Sequence, residues 1–240
     1  MKNYLINYAD KGFKQAQQIN SHTGLLNGID KVINYNLSDL DSKFVNENID
    51  ILSQSRGAGY WLWKPYVILK TLERVNDNDI VFYSDSGVEF IDSVTPLIDL
   101  CKKETKGVLT FHMEPFLENK EVLQTKKDAF VLMGCDTSEY QNSWPRLASY
   151  SIWQKNPFSL QIINEWLEYA KNPHILTDIP NQCGIDEDNR HTNHRHDQSI
   201  FSLLTKKHNI HAYPDPSQWG NNHRKTVSYN QIINHTRNRL

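Results

Sequence analysis

Apolar residues follow two different spacings along this chain, and together these predict strands and helices that alternate. Residues 5–8, 32–35 and 80–83 are short apolar runs with the β-branched and aromatic content of strands. After Pro65, apolar positions recur at helical spacing up to residue 75, where a polar break follows. This alternation is typical of an α/β domain with a mostly parallel central sheet flanked by helices.

The remaining predicted elements continue the alternation as far as residue 213. Helices are predicted at residues 11–19, 39–52, 93–101, 126–133, 158–170 and 199–206, and strands at 107–111, 148–153 and 210–213. The continuous apolar run 80–83 predicts a central strand buried on both faces of a parallel sheet. Residues 172–196 are polar and long enough to be an active-site loop, whereas the tail from Pro214 has no clear periodicity.

Length and charge favour a single globular domain, residues 1–240, that acts on a small or polar substrate. The chain has 240 residues, of which 38% are hydrophobic, which is enough for one substantial core. Its 26 basic and 28 acidic residues nearly cancel, and this disfavours a nucleic-acid partner because such proteins usually carry a basic stripe.

Cysteine usage and the absence of long apolar runs bear on where the protein acts. The three cysteines are far apart in sequence and odd in number, which fits neither a disulfide framework nor a paired zinc knuckle. The amino-terminal apolar run is too short for a signal peptide, and no stretch reaches the roughly 20 apolar residues of a membrane helix. We therefore expect a cytoplasmic protein with reduced thiols and no transmembrane segment.

An acidic turn follows the predicted central strand. Residues 84–87 read Ser-Asp-Ser-Gly, and ligands of parallel α/β sheets bind beyond the carboxyl ends of the strands, so Asp85 would face the expected crevice. A carboxylate there can hold a divalent cation that neutralises a diphosphate, and Gly87 lets a ligand approach the backbone closely. The alternative is a common polar turn without a ligand.

Three blocks of the sequence resemble glycosyltransferases of the GT-A fold. Residues 81–87, Val-Phe-Tyr-Ser-Asp-Ser-Gly, resemble the strand that ends in an Asp-Xaa-Asp motif in that fold. Residues 56–66, Arg-Gly-Ala-Gly-Tyr-Trp-Leu-Trp-Lys-Pro-Tyr, and 194–199, His-Arg-His-Asp-Gln-Ser, are similar to blocks in bacterial and viral glycosyltransferases of polysaccharide synthesis. The resemblance implies a single Rossmann-like GT-A domain, a nucleotide-sugar donor such as a UDP-sugar, and a glycan or lipid-linked glycan acceptor.

The same resemblance implies where the donor diphosphate binds. Asp85, Ser86 and Gly87 would hold it together with a divalent cation, Mn²⁺ or Mg²⁺. The sequence departs from the motif at Gly87, which stands where the second Asp is expected, so one metal ligand is missing. In some enzymes of this fold a late histidine completes the metal shell. His235 is best placed for that role here, with Arg237 beside it, and a disordered polar tail is the alternative.

The block before the central strand offers two cations and several aromatic rings. Arg56 and Lys64 flank a Gly-Ala-Gly turn that precedes a helix, an arrangement that can present backbone amides and two positive charges to phosphate oxygens. Tyr8 and Ala9 end the first strand, where the resemblance implies the nucleotide base and ribose. A tyrosine there also serves as a structural cap on a core, and the pattern favours a core position for Trp61 over contact with a ligand.

A histidine-rich block precedes the last predicted helix. Its spacing lacks the helical pairing of a zinc protease and has no cysteine partner, which disfavours a dedicated zinc site. From its position, Asp197 is expected to cap the helix 199–206 while its carboxylate faces a pocket. Asp197-Gln198 resembles the pair that binds donor-sugar hydroxyls in many GT-A enzymes. The catalytic candidates are thus Asp197, as general base or electrostatic stabiliser, with His196 and Gln198 beside it.

Two other function classes fit parts of this pattern. A phage-type transferase that glycosylates a nucleic-acid base would need a basic channel, and the net charge of −2 gives no indication of one. A catalytically silent sugar-binding module would explain the lost second Asp as lost chemistry. Donor hydrolysis separates that module from an enzyme, and heparin retention separates the nucleic-acid enzyme from both.

Overall fold

The computed structural model describes residues 1–113, 119–220 and 227–236, and eight strands lie within them. They are β1 (Asn3–Tyr8), β2 (Lys31–Tyr35), β3 (Ile80–Ser84), β4 (Val88–Phe90), β5 (Val108–Phe111), β6 (Tyr150–Gln154), β7 (Ala212–Tyr213) and β8 (Ile233–His235). Six of them form the central sheet in the order β2-β1-β3-β6-β5-β7, and β4 pairs with β8 in a separate ribbon.

Five of the six central strands run in one direction. β1 is parallel to both β2 and β3, and β5 is parallel to β7. Only β6 runs the other way, antiparallel to β3 on one side and to β5 on the other. The predicted mostly parallel sheet is confirmed, and the reversed β6 is the feature that periodicity did not reveal.

Helices pack on the sheet and fill the intervals between strands. Within the described residues they are Lys14–Leu26, Ser42–Glu47, Ile49–Leu52, Trp63–Arg74, Thr95–Lys103, Glu121–Gln124, Lys127–Leu132, Ser138–Gln141, Pro157–Ala170, Pro173–Leu176 and Asp197–Lys207, with 3-10 turns at Lys11–Phe13 and Leu37–Asp39 and a short irregular helical turn at Gly57–Tyr60. The long helix Pro157–Ala170 begins as its sequence predicts, with a capping box between Asn156 and Ser159 and a proline in its first turn. No helix among these residues is long and apolar enough to cross a membrane.

The central strand β3 separates two hydrophobic cores. All of its residues are buried, as predicted, and successive side chains point to opposite faces of the sheet. Val81 and Tyr83 pack in the core that contains Trp166, whereas Ile80 and Phe82 pack in the other. This packing places the carboxyl end of β3 at the sheet edge, where the acidic turn emerges.

Two predicted helices have different bounds in the structure, and one strand was not predicted. The helix predicted at residues 39–52 is broken into a 3-10 turn and two short helices, with Asn48 at the junction in a non-helical conformation. The helix predicted at 11–19 starts as a 3-10 turn and then runs on to Leu26. The tail, for which no element was predicted, contributes β8, whose residues pair with β4 from Val88↔His235 to Phe90↔Ile233.

Candidate active site

A cavity of about 1060 Å³ opens at the carboxyl ends of β1 and β3. Its walls come from the end of β1, the segment 55–64, the acidic turn 85–87, the loop 193–198 and His235 of β8. Segments that lie far apart in sequence therefore meet where open α/β sheets bind their ligands. Most of the predicted site residues line it: Tyr8, Arg56, Lys64, Asp85, Ser86, Gly87, His196, Asp197, Gln198 and His235.

A buried lysine joins the two predicted carboxylates. The Lys64 ammonium lies 2.6 Å from Asp197 Oδ2 and 3.4 Å from Asp85 Oδ1, and it also donates to the Ala148 carbonyl at 3.1 Å. Asp85 Oδ1 accepts a second hydrogen bond, of 2.5 Å, from the Tyr83 hydroxyl. Because the Lys64 side chain is only 3% exposed, its ammonium interacts with these partners inside the protein and is not available to bind a phosphate.

Burial and charge shift the pKa values in this cluster. Burial is the largest influence on Asp197 and raises its pKa to about 6, with the Lys64 charge acting against it. Burial alone would lower the pKa of Lys64, but Asp197 and Asp85 together raise it. Burial also raises the pKa of Tyr83 well above its ordinary value, and Asp85 adds to the effect. At neutral pH the site therefore holds an ionised Lys64 between carboxylates, one of which is easily protonated.

Backbone contacts to three other segments fix the acidic turn. The Asp85 amide donates to the Ser149 carbonyl at 2.7 Å, and the Ser86 hydroxyl donates to the Tyr8 carbonyl at 2.7 Å. The Gly87 carbonyl accepts from the Thr236 amide, because β8 is paired alongside β4. The second Asp of the resembled motif is thus replaced by a glycine whose carbonyl binds the tail.

Asp197 does not cap its helix, contrary to the sequence-based expectation. The helix begins at Asp197, and His196 is the cap residue without a side-chain cap bond. The Asp197 carboxylate points to Lys64 instead. An acidic residue in the first turn of a helix is still favourable, because it lies near the positive end of the helix dipole. Its neighbour Gln198 also lines the cavity and donates from Nε2 to Met113 Sδ at 3.4 Å.

The Gly-Ala-Gly turn has an unusual left-handed backbone. Gly57, Ala58, Gly59, Tyr60 and Trp61 all have φ values between 50° and 96°. For residues other than glycine this conformation costs roughly 1–2 kcal/mol each, and such strain is typical of functional sites. The amides of residues 58–61 bond inside the turn, so the expected cradle of free backbone amides is not formed there. Arg56 is the charged residue that this segment contributes to the cavity lining, together with Gly57, Ala58 and Trp61.

His196 is held between the left-handed turn and the polar loop. Its ring stacks on Trp61, with centroids 5.5 Å apart, and meets the edge of Tyr60 at 5.0 Å. Its Nδ1 lies 2.9 Å from the Leu176 carbonyl, and Nε2 is 3.7 Å from a carboxylate oxygen of Asp178. Burial lowers the pKa of His196, so the ring is neutral at neutral pH.

Asp178 contacts two cavity-lining residues, Arg56 and His196, and sequence reasoning missed it. It forms an ion pair with Arg56, with Nη1 and Oδ2 3.0 Å apart. Nothing in the sequence distinguishes it except its place in the polar stretch 172–196. That stretch is ordered by the buried Asp128 carboxylate, which accepts from the Gln182 and Cys183 amides at 2.9–3.0 Å.

Tyr8 and Ala9 have different positions relative to the cavity. The Tyr8 ring is 6% exposed and stacks on Trp63 at 3.9 Å between centroids, so one of its faces is already covered by protein. Burial raises the pKa of Tyr8 to about 12, and the hydroxyl is therefore neutral. Ala9 is buried and its amide donates to the Tyr35 carbonyl at 3.0 Å. Of the two predicted base-binding residues, Tyr8 alone lines the cavity.

The two predicted metal ligands, Asp85 and His235, line the same cavity. Among the described residues no group of three or more His, Cys, Asp or Glu side chains comes together to hold a metal ion. Asp85 Oδ1 is engaged by Tyr83 and Lys64, whereas the carboxylate as a whole is 31% exposed. This donor set fits a cation that takes most of its ligands from a bound diphosphate and water, as Mg²⁺ usually does, and not a cation held by protein alone. Arg237, the remaining predicted donor contact, lies outside the described residues.

His194, in the histidine-rich block near Asp197, contacts the backbone through both ring nitrogens. His194 is buried, with Nε2 2.8 Å from the Ile175 carbonyl and Nδ1 accepting from the Lys126 amide at 3.3 Å. Both ring nitrogens are therefore used to hold the loop. Burial lowers the pKa of His194 well below its ordinary value, which keeps the ring neutral.

The sheet order and the acidic turn after β3 match the GT-A fold that the sequence blocks implied, and two solved glycosyltransferases share this fold. Mouse xyloside xylosyltransferase 1, in its apo form, is 10% identical with a TM-score of 0.52, and the match covers 98% of this chain and 97% of that one. A glycosyltransferase involved in glycosylation of the major capsid of PBCV-1 is also 10% identical with a TM-score of 0.52, covering 99% and 95%.

A third solved structure, the galactosyltransferase LgtC in complex with donor and acceptor sugar analogues, is 14% identical with a TM-score of 0.48 and coverage of 98% and 87%. No protein-family profile and no curated protein sequence matches the chain. At these identities the similarity to solved structures is one of fold, and function has to be argued from the site.

Proposed function

We propose that this protein is a glycosyltransferase that moves a sugar from a nucleotide-diphosphate donor, such as a UDP-sugar, to a hydroxyl of a glycan or lipid-linked glycan acceptor in polysaccharide synthesis. The observation that carries the proposal is the Asp85–Lys64–Asp197 cluster at the carboxyl end of β3, in which Lys64 and Asp197 are buried and Asp85 is partly exposed. A structural ion pair has no need of an open cavity of about 1060 Å³ beside it, whereas a donor site has.

In this proposal the donor diphosphate lies against the acidic turn, residues 85–87, with Arg56 as a nearby positive charge. A divalent cation, when bound, would neutralise the diphosphate, with Asp85 and His235 as its protein ligands. The chain's own contribution is positional: Lys64 and Tyr83 hold Asp85 in place, and the Thr236 amide holds Gly87. Tyr8 and Trp63 provide the stacked aromatic wall at the end of β1.

Asp197 is the proposed catalytic carboxylate. During transfer the bond from the anomeric carbon to the phosphate oxygen breaks, and a bond from that carbon to the acceptor oxygen forms. In an inverting reaction Asp197 would take the acceptor's hydroxyl proton, and a pKa of about 6 suits a general base at neutral pH. In a retaining reaction the carboxylate would stabilise positive charge on the sugar ring. Gln198 and His196 lie beside it to bind sugar hydroxyls.

A panel of nucleotide sugars in a thermal-shift assay, with and without manganese, tests the proposal. A ligand that binds only the folded state raises the unfolding temperature in proportion to its occupancy, so donor binding is detected without knowledge of the acceptor. We expect one nucleotide to give a clear shift and its sugar conjugate to be hydrolysed slowly. Absence of a shift with every member would contradict the proposal, and binding without hydrolysis or transfer would support a silent sugar-binding module instead.

A further inference from the structure

The Asp178 carboxylate lies among polar groups that belong to the cavity wall. Arg56 Nη1 is 3.0 Å from its Oδ2. His196 Nε2 is 3.7 Å from its Oδ1. The Arg56 guanidinium is an anion-binding group on the cavity wall, and in the free protein its occupant is a side chain of the same chain.

The contact between Arg56 and Asp178 is easily exchanged. The two side chains are 53% and 38% exposed, and ion pairs this close to solvent contribute little to stability. Asp178 therefore holds Arg56 in position without binding it strongly. A ligand that carries more negative charge than one carboxylate would compete successfully for the same guanidinium.

His196 has an unfilled hydrogen-bonding position next to this carboxylate. The ring is 2% exposed, and its Nε2 has no hydrogen-bond partner. Because Nδ1 faces the Leu176 carbonyl at 2.9 Å, Nδ1 carries the proton of the neutral ring and Nε2 is an acceptor. A carboxylate cannot donate to it, whereas a ligand hydroxyl can. A buried polar atom without a partner on a cavity wall is a position that a ligand can satisfy.

The backbone around this position is strained on both sides. Residues 57–61 are left-handed, and His196 has φ 53° and ψ −119°. Such strain is typical of functional sites. The stacking of Trp61 on His196 connects these two segments directly, and the His196 ring also contacts the Leu176 carbonyl. Neither contact involves Asp178, so both can remain when Asp178 moves.

We propose that Asp178 occupies, in the free protein, the position of a phosphoryl oxygen of the donor, and that donor binding replaces Asp178 on Arg56 while a hydroxyl of the same ligand donates to His196 Nε2. This inference rests on the proposed function and deepens it. Asp178 is then a positioning residue that competes with the substrate, and the site selects ligands that carry both an oxyanion and a nearby hydroxyl, as a phosphorylated sugar or a nucleotide does.

Isothermal titration with UDP and with inorganic pyrophosphate tests the exchange. In Asp178→Asn the shape is kept and the competing charge is removed, so we expect the Kd for both ligands to fall about 2- to 5-fold, the size expected for an exposed ion pair. Asp188→Asn is the matched control, because Asp188 lies in the same loop and pairs with Arg190 at 2.8 Å, and Arg190, unlike Arg56, does not line the cavity. Its Kd should not change, although the net charge changes equally.

Arg56→Ala completes the design. It should weaken both ligands, and Asp178→Asn in the Arg56→Ala background should give no gain, because the competition is for Arg56. A Kd in Asp178→Asn that is unchanged or higher, with wild-type binding intact, would overturn the exchange and leave the proposed function standing. Absence of binding by the wild type to UDP and pyrophosphate would overturn both. Asp178→Ala, checked by thermal unfolding, serves as the second variant if the asparagine protein is unstable.

Discussion

The Lys64 ammonium lies 2.6 Å from Asp197 Oδ2, and both side chains are more than nine-tenths buried. Asp85 shares the same ammonium at 3.4 Å. This arrangement is stable only while the cation is present, because the buried Asp197 carboxylate would otherwise be a desolvated charge near the like charge of the partly exposed Asp85. The cluster therefore contributes both to the stability of the fold and to the site, and substitutions in it are expected to affect both.

Replacing Lys64 should destabilise the protein as well as weaken donor binding. The sequence alone suggested an exposed phosphate ligand, for which Lys64→Ala would leave the fold intact. In its buried position, Lys64→Ala or Lys64→Met should lower the free energy of unfolding by about 3–5 kcal/mol, the usual cost of removing one partner of a buried ion pair. Urea unfolding monitored by tryptophan fluorescence measures this.

A lysine on the surface provides the comparison for Lys64. Lys171 pairs with Glu168 at 2.6 Å, but both side chains are about a third or more exposed. Lys171→Met should change the free energy of unfolding by no more than about 1 kcal/mol. Equal losses for the two lysine variants would mean that the buried cluster has no special role in stability.

Replacing Asp85 tests the cation. Asp85→Asn keeps an oxygen that can accept from Tyr83, but a neutral amide cannot hold a cation against a diphosphate. We expect nucleotide-sugar affinity to fall strongly and the manganese-dependent part of the thermal shift to disappear. Asp99→Asn, at an exposed pair with Lys102, is the control. A manganese effect of wild-type size in Asp85→Asn would remove Asp85 from the metal site.

Periodicity predicted the elements that bury the site but not the contacts that complete it. The run 80–83 contains only apolar residues, so β3 and the turn after it were evident from the sequence. The ribbon of β4 and β8 was not evident, because a strand of three residues is too short to show an alternation of apolar and polar positions. Its pairing also joins Val88 to His235, which are far apart in the sequence. As a result the tail appeared structureless, although it binds the Gly87 carbonyl.

Side-chain burial was the other property that the sequence did not reveal. A lysine is almost never fully buried unless it is paired, so Lys64 was expected at the surface. Its partner Asp197 comes from a distant helix, and only the assembled fold brings the two together. Asp178 is similar: its significance comes from Arg56 and His196, which reach it from two different segments.

The pH dependence of activity should report the Asp197 carboxyl. Burial raises its pKa to about 6 from an ordinary value of 3.8, so protonation removes the proposed base below about pH 6. We expect kcat/KM to fall about tenfold per pH unit on that side. A profile that stays flat down to pH 5 would contradict the assignment.

The raised pKa of Asp197 also makes the free energy of unfolding depend on pH. Between about pH 4 and pH 6 the folded protein keeps a proton on Asp197 that the unfolded chain has lost, so the contribution of this group is greatest below pH 4 and declines as the pH rises through 6. Urea unfolding of the wild type and of Asp197→Asn at pH 4, 5, 6 and 7 measures it. The stability difference between the two proteins should shift against the wild type as the pH rises across this window.

Asp197→Asn separates chemistry from binding most sharply. If the carboxylate takes a proton or stabilises charge that develops only in the transition state, turnover should fall on the order of 100-fold or more, while donor affinity changes only a few-fold. The helix does not depend on it for capping, since His196 is the cap residue, and an amide oxygen can still accept from Lys64. Asp79→Asn is the stability control, because Asp79 is equally buried but accepts from the Lys2 amide at the opposite end of β3. It should lose stability and keep turnover. Turnover of Asp197→Asn within a few-fold of wild type, on any active acceptor, would leave Asp197 as a structural partner of Lys64 and move the search for the catalytic group to His196 and the loop before it.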